Sequence, residues 1–440
     1  MEGNGGETLS SPTLSTKLQR IAEQAVDKTR VFTTLAHLID EELLREAYRL
    51  TRKDGATGID GQTGKAYAER LDANLRDLHK RLRSQKYSAP PIRRVRIPKA
   101  SGGERPIGIT TFEDKVVQRA VVMLLSAIYE RDFYRFSYGF RPGLGAHCAL
   151  RALREGCMAL GGGWIVDADI RGFFDSVDHG VLRDTLRRRV RDGGILRLIG
   201  KWLNAGVMDN GELFHPETGT PQGGVISPLL ANIYLHAILD EWFAQVVQPR
   251  LGGRSFLIRF ADDFVIVCAS EKDARRVLEV LPKRLAKYGL TLHPEKTRLI
   301  RFRQPEATSQ KADGCGTLEF LGFTHHWTRS RRGYWVIKRR TARKALHRSM
   351  RDITDWCRNH RHFALKAQHH MLCLKLRGHY GYYGIKGNYR LLEQLYEHTK
   401  QAWVKWLNRR GGKKHFGWKA FAQLEEALPL PLPRIVHASV

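Results

Sequence analysis

The residues best suited to chemistry are Asp262 and Asp263, adjacent carboxylates in the stretch Arg259-Phe260-Ala261-Asp262-Asp263-Phe264. Apolar runs flank them, 255–258 before and 264–268 after, and both are rich in aromatic and β-branched residues. Such runs around a short polar break predict strand, tight turn, strand, with both aspartates at the tip. Side chains alternate along a strand, so the two carboxylates diverge and can reach different partners. Acids kept together among apolar neighbours are costly unless positive charge neutralises them. Two divalent cations about 4 Å apart would do so, and such a pair serves in-line phosphoryl displacement. A solvated turn, which Asp also favours, is the simpler alternative.

A third ligand from a nearby strand would make such a cage secure. Trp164-Ile165-Val166-Asp167-Ala168-Asp169 alternates apolar and acidic residues and predicts a strand ending at Asp169. Asp167, Asp175 and Asp178 compete for the role; Asp167 shares the strand face of Asp169, so spacing does not choose between them. Upstream, residues 92–99 alternate basic and apolar side chains, and Ser101-Gly102-Gly103 offers a hairpin tip before 104–109. Lys99 and Arg105 flank that tip, placed to grip phosphate oxygens; a solvated basic face fits equally well. Ser137–Gly143 is a glycine-aromatic loop of the kind that lets backbone approach a ligand. A second turn-rich loop, 218–224, leads into a helix with Pro228 in its first turn.

The positioning elements follow from periodicity. Helices are expected from about Thr16, over 40–52, over 74–83 with leucines 75, 78 and 82 on one face, and over 111–128. Another spans 273–287, with Ala274, Val277, Leu278, Leu281 and Leu285 facing one way. Residues 1–16 have the composition of a loose tail.

Charge separates two regions. The 440 residues hold 74 Lys and Arg against 45 acids, a net +29 that favours association with polyanions such as nucleic acid. From 301 onward there are 28 basic and 9 acidic residues, so the last third is the expected polyanion-holding surface. Arg329, Arg331, Arg332, Lys338, Arg339, Arg340, Arg343 and Lys344 fall within 17 residues containing no acid, interleaved with Trp327, Tyr334 and Trp335. That pairing suits phosphate contact plus base stacking. The character changes near 326, the expected domain junction. Six scattered cysteines suit reduced thiols in a cytosol. Neither a spanning helix nor a signal peptide is visible, so a soluble cytoplasmic protein is expected. Cys357, His360, His362, His369, His370 and Cys373 have spacing superficially like a zinc site, yet lie where imidazoles and small core thiols need no metal.

In order along the chain, Gly55–Asp60, Ile97–Ile109, Ser137–Pro142, Asp169–Asp178, Gly219–Asn232, Arg259–Phe264, Gly289–Thr297 and Phe320–Phe323 resemble the blocks of bacterial group II intron-encoded reverse transcriptases, the maturases. Gly378–Gly384 resembles their maturase-specific segment. The resemblance covers about 16–440 and implies an α/β right-hand polymerase. Fingers and palm would run over 17–325, followed by a basic helical thumb and maturase region over 326–440. It implies an RNA-directed DNA polymerase that binds its intron RNA, assists splicing and retromobility, and associates with the bacterial nucleoid. Its partners would be RNA template, DNA primer, target DNA and dNTPs. Asp169, Asp262 and Asp263 would be catalytic and hold two Mg²⁺ (or Mn²⁺), with the Ile170 carbonyl an extra ligand. Phe174 would exclude a ribose 2′-OH. Gln222, Lys99 and Arg105 would hold the nucleotide, and Arg331, Arg332, Lys338, Arg339 and Arg340 would hold RNA. Phe260 departs from the family's usual tyrosine, a loss of one hydroxyl. No Cys-x-x-Cys pair matches the C-terminal HNH nuclease of many relatives, so none is expected. The rival readings are a stand-alone reverse transcriptase of retron or defence type and a non-catalytic RNA-binding splicing factor; the intact acids speak against the latter.

Overall fold

A computed structural model describes residues 12–98, 103–209, 212–214, 219, 223–309, 312, 314–410 and 417–437. The chain forms two compact units, the first from 1–149 and 165–299, the second from 150–164 and 300–440. The architecture is mixed α/β, as expected for a right-hand polymerase followed by a helical region.

The first unit holds one four-stranded sheet and most of a second, two of whose strands, Trp164–Asp169 and Arg298–Arg301, run across the unit boundaries. In one, β1 (Ile92–Pro98) and β2 (Glu104–Ile109) form the expected antiparallel hairpin, with Ile97 opposite Arg105. β4 (Val207–Asp209) and β5 (Glu212–Phe214) extend it in the order β2-β1-β4-β5. Asp209 ties the basic strand down, 3.0 Å from Arg96 and 3.5 Å from Arg94.

The other sheet has the order β6-β7-β3-β8, from β6 (Ser255–Phe260), β7 (Asp263–Cys268), β3 (Trp164–Asp169) and β8 (Arg298–Arg301). β7 lies inside the sheet, and every residue from Phe264 to Cys268 is buried. A strand covered on both faces reads as a continuous apolar run, which is what this segment is. The helix Glu271–Ala286 packs on β7 through Ala274, Val277, Leu281 and Leu285. It starts where Ser270 accepts a hydrogen bond from the Asp273 amide. The helix Phe112–Tyr129 is capped in the same way by Thr111 and is buried along most of its length.

In the second unit, β9 (Leu318–Phe320), β10 (Phe323–Arg329) and β11 (Trp335–Thr341) form an antiparallel sheet, followed by helices Arg343–Asn359, Leu365–Tyr383, Tyr389–Leu407 and Trp418–Ala427. The first and third of these helices pack against each other. The junction expected at 326 falls inside β10, whereas the compact units part at 299/300. Onset of positive charge marks a surface, and here that surface begins midway along a hairpin. The helix expected near Thr16 begins at Pro12. Among the described residues no helix is long and apolar enough to cross a membrane.

Candidate active site

The β6–β7 turn consists of Ala261 and Asp262, with Asp263 opening β7 opposite Phe260. Ala261 has φ +57°, a left-handed conformation that is costly for a residue with a Cβ. The glycine-aromatic loop 137–143 packs here. Tyr138 N–H donates to the Arg259 carbonyl at 2.9 Å, and Arg259 N–H donates to the Phe136 carbonyl at 2.8 Å. A Cβ on Gly139 would lie 2.3 Å from the Ala261 nitrogen, so only glycine allows this approach.

β3 lies beside β7 and delivers Asp169 to the same end of the sheet. The Asp263 carboxyl is pushed up to about 7, by burial first and then by the charges of Asp262 and Asp169; a hydrogen bond with Asp169 adds to the effect. Asp263 stands at the solvent-facing tip of the hairpin. A concentration of oxygen donors that repel one another is the chemistry a hard divalent cation neutralises. As the side chains stand, no group of three or more His, Cys, Asp or Glu among the described residues closes into a metal cage. At Asp169 the counter-charge is Lys296, whose ammonium lies 2.5 Å from Oδ2. The Lys296 pKa is raised, chiefly by that hydrogen bond. The donor set fits a metal in type and charge, with Lys296 its competitor.

The competing acids have other partners. Asp167 pairs with Arg298 at 2.9 Å, and Asp178 caps the helix His179–Arg187 by accepting from the Val181 amide. Asp175 sits in the 3₁₀ turn Phe173–Asp175. In that turn Phe173 is buried, while Phe174 stands half-buried with its ring edge-on to Phe173 at 5.4 Å. Ile170 bridges Leu292, and the Asp169 carbonyl accepts from the His293 amide at 2.8 Å. The half-buried Phe260 ring lies 6.5 Å from Phe140.

Lys99 and Gln222 lie outside the described residues, as does the side chain of Arg105. Gly223, beside Gln222, has φ +122°, and a Cβ there would meet the Gly108 carbonyl at 2.4 Å. Gly223 therefore lies against the β1–β2 hairpin.

The basic segment is divided between surface and core. Strand alternation leaves Lys338 and Arg340 exposed on one face of β11, while Arg339 is 4% exposed on the other, opposite His325. Burial first, and then Arg154, lower the Arg339 pKa to about 10. Its guanidinium is a core group, so it does not belong to the expected RNA surface. Trp327 and Trp335 are buried too, their indole N–H groups donating to the carbonyls of Phe302 and Glu306. Of the three interleaved aromatics, Tyr334 is the exposed one, beside exposed Arg331 and Arg332.

The cysteine-histidine cluster serves the helices. Cys357 is buried, which raises its thiol to about 12; His360 stacks on Trp356 at 4.8 Å, and a His369 ring nitrogen lies 2.9 Å from the Pro429 carbonyl.

A family model described as reverse transcriptase (RNA-dependent DNA polymerase) matches residues 97–325. The chain belongs to the reverse transcriptase family, and its enzymatic class is RNA-directed DNA polymerase. It is similar to protein YkfC of Escherichia coli (strain K12), at 35% identity over 62% of this chain and 81% of that one. Group II intron-encoded protein LtrA of Lactococcus lactis subsp. cremoris is 37% identical over 52% of this chain, a match covering 38% of LtrA. Nuclear intron maturase 2, mitochondrial, of Arabidopsis thaliana is 30% identical over 32% of this chain and 24% of that protein. These relatives bear out the resemblance to intron-encoded reverse transcriptases and maturases.

Proposed function

We propose that this chain copies RNA into DNA at Asp169, Asp262 and Asp263, and binds a group II intron RNA through its second unit to assist splicing and retromobility. The observation that carries the catalytic part is the convergence of these three carboxylates at one end of the β6-β7-β3-β8 sheet, within the segment matching the family.

Reverse transcriptases use divalent metal ions. Here the three carboxylates, with the Ile170 carbonyl, are the residues that would hold two Mg²⁺, or Mn²⁺. When bound, such ions supply activation of a primer 3′-OH and charge neutralisation at the leaving pyrophosphate. The protein's own contribution is positional. The end of β3 and the tight β6–β7 turn fix the backbone positions of the carboxylates before substrate arrives, leaving side-chain adjustment for metal entry. Phe174 presents a ring where a 2′-OH would sit and so favours deoxynucleotides. Lys99 and Arg105 hold the triphosphate, and Gln222 lies against the incoming dNTP. Lys296, now on Asp169, would have to give that carboxylate up for it to hold a metal. RNA template, DNA primer and target DNA are the macromolecular partners of this reading. Intron RNA is held by Arg331, Arg332, Lys338 and Arg340, with Tyr334 available for stacking.

Purified full-length chain supplied with an RNA template, a DNA primer, Mg²⁺ and dNTPs should extend the primer. Asp263→Asn should not, and full activity in that variant would overturn the catalytic reading.

A further inference from the structure

Arg259 is the one charged residue in β6, and both it and Asp240 have fully buried side chains. Its Nε donates to Asp240 Oδ1 at 2.8 Å and its Nη2 to Oδ2 at 2.5 Å. Its Nη1 donates to Asn232 Oδ1 at 2.9 Å and to the Ala261 carbonyl at 3.1 Å. Asn232 in turn donates from Nδ2 to the Gly139 carbonyl at 2.7 Å. One planar guanidinium thus joins the helix Ser227–Leu235, the π-helical turn His236–Asp240, the Gly139 loop through Asn232, and the left-handed residue just before Asp262.

A buried ion pair is weak evidence for a stability role, because desolvation offsets much of its attraction. What this pair supplies is geometry. A guanidinium fork fixes angles as well as distances, which an ammonium cannot do. The bond to the Ala261 carbonyl falls at the backbone position whose φ decides where Asp262 and Asp263 point. We infer that Arg259, held by Asp240 and Asn232, is a positioning residue that sets the β6–β7 turn and thereby the aim of the Asp262 and Asp263 carboxylates. This rests on the reading of those two aspartates as the catalytic, metal-binding pair.

The test uses the full chain and three variants. Arg259→Lys keeps a positive charge opposite Asp240 and loses the fork. The double variant Arg259→Met with Asp240→Leu removes the pair without stranding a buried charge. Asn232→Ala removes only the link to Nη1 and Gly139. Each is measured for thermal midpoint, primer–template affinity, Mn²⁺ binding to substrate-free protein by electron paramagnetic resonance, and kcat and KM in Mg²⁺ and in Mn²⁺. The double variant should melt within about 5 °C of the parent, with template affinity within about twofold. Mn²⁺ affinity should fall about 10–100-fold and kcat in Mg²⁺ up to about 100-fold. Mn²⁺ should recover part of kcat, because Mg²⁺ demands the stricter octahedral geometry. A merely structural role would instead lower the midpoint and leave kcat per folded molecule and the Mg²⁺/Mn²⁺ ratio unchanged. A folded Arg259 variant with parental kcat and Mn²⁺ affinity overturns the inference; if neither Arg259 variant folds, an unchanged kcat in Asn232→Ala does so. Asp263→Asn, run in parallel, separates the failures. Synthesis retained there overturns the site reading and this inference together, whereas synthesis lost there but intact in Arg259→Lys overturns this inference alone.

Discussion

The two units handle charge in opposite ways. In the first, buried arginines meet carboxylates: Arg259 with Asp240, Arg189 with Asp132 at 2.9 Å, and Arg141 with Glu130 at 2.9 Å. Asp240 shows the balance, since burial pushes its pKa up and the Arg259 charge, together with hydrogen bonds from His236 and Arg259 and the His236 charge, leaves it lowered. In the second unit, Arg331, Arg332, Lys338 and Arg340 stand in solvent, and the buried Arg339 leaves its Nη1 without a hydrogen-bond partner among the described residues. Internal pairing fixes geometry, and surplus surface charge attracts a polyanion. The first arrangement suits chemistry on a small reacting group, the second the holding of a long chain.

The largest expected effect sharpens this contrast within a single strand. Asp169→Asn should cut primer extension by roughly 10³-fold, the scale of losing a group that acts directly on transition-state charge. Asp167→Asn, on the same strand face but paired to Arg298, should cost less than about tenfold. Equal losses in steady-state extension assays would break the assignment.

Asp114 tests an acid of the first unit whose hydrogen-bond partners are neutral. Tyr87, Trp202 and Gln118 all donate to it, yet burial raises its pKa to about 6. With the folded value above the unfolded one, the folded state holds the proton more tightly, so its contribution is full at low pH and lost as pH rises through about 6. Urea unfolding should show Asp114→Asn removing a stability loss of roughly 2–3 kcal/mol between about pH 4 and pH 7. Parallel pH profiles for parent and variant would contradict this.

On the proposed reading of Phe174 as the sugar gate, Phe174→Ala would open space for a ribose hydroxyl. The preference for dNTP over NTP, measured as a ratio of kcat/KM, should fall by about 10–100-fold. An unchanged ratio would remove Phe174 from the site.

In the second unit, replacing Arg331, Arg332, Lys338 and Arg340 by Gln should make the slope of log K against log salt for RNA binding shallower by about 3. Arg339→Met should leave that slope unchanged and the thermal midpoint equal or higher, since it removes a buried, underpartnered charge. A slope change for Arg339→Met as large as that for Lys338→Gln would mean that the buried guanidinium reaches RNA after all.

Much of the site was legible because its signals are local. Alternation gave β3 and the β1–β2 hairpin, apolar runs around a polar break gave the β6–β7 hairpin, and the position of Asp169 at a strand end followed directly. The partner of Arg259 was not legible, lying 19 residues away across a π-helical turn that no periodicity announces. A signal was nevertheless present: an arginine inside Phe256-Leu257-Ile258-Arg259-Phe260 and an aspartate inside Ala237-Ile238-Leu239-Asp240 both demand a buried partner. The burial of Arg339 was available too, since it shares parity with Trp335, Ile337 and Thr341, all buried. Counting charge without regard to strand face hid it. Spacing did not choose between Asp167 and Asp169, which the resemblance alone separated; the pairing of Asp167 with Arg298, more than a hundred residues on, had no local signal.

The most direct test of the division between the units is the double variant Asp262→Asn with Asp263→Asn, assayed on the same preparation for primer extension and for intron RNA affinity by filter binding. Extension should vanish, while RNA affinity and its salt slope stay within about twofold of the parent, because none of the four surface cations is touched. Continued DNA synthesis, or an RNA affinity lost in step with synthesis, would contradict the account.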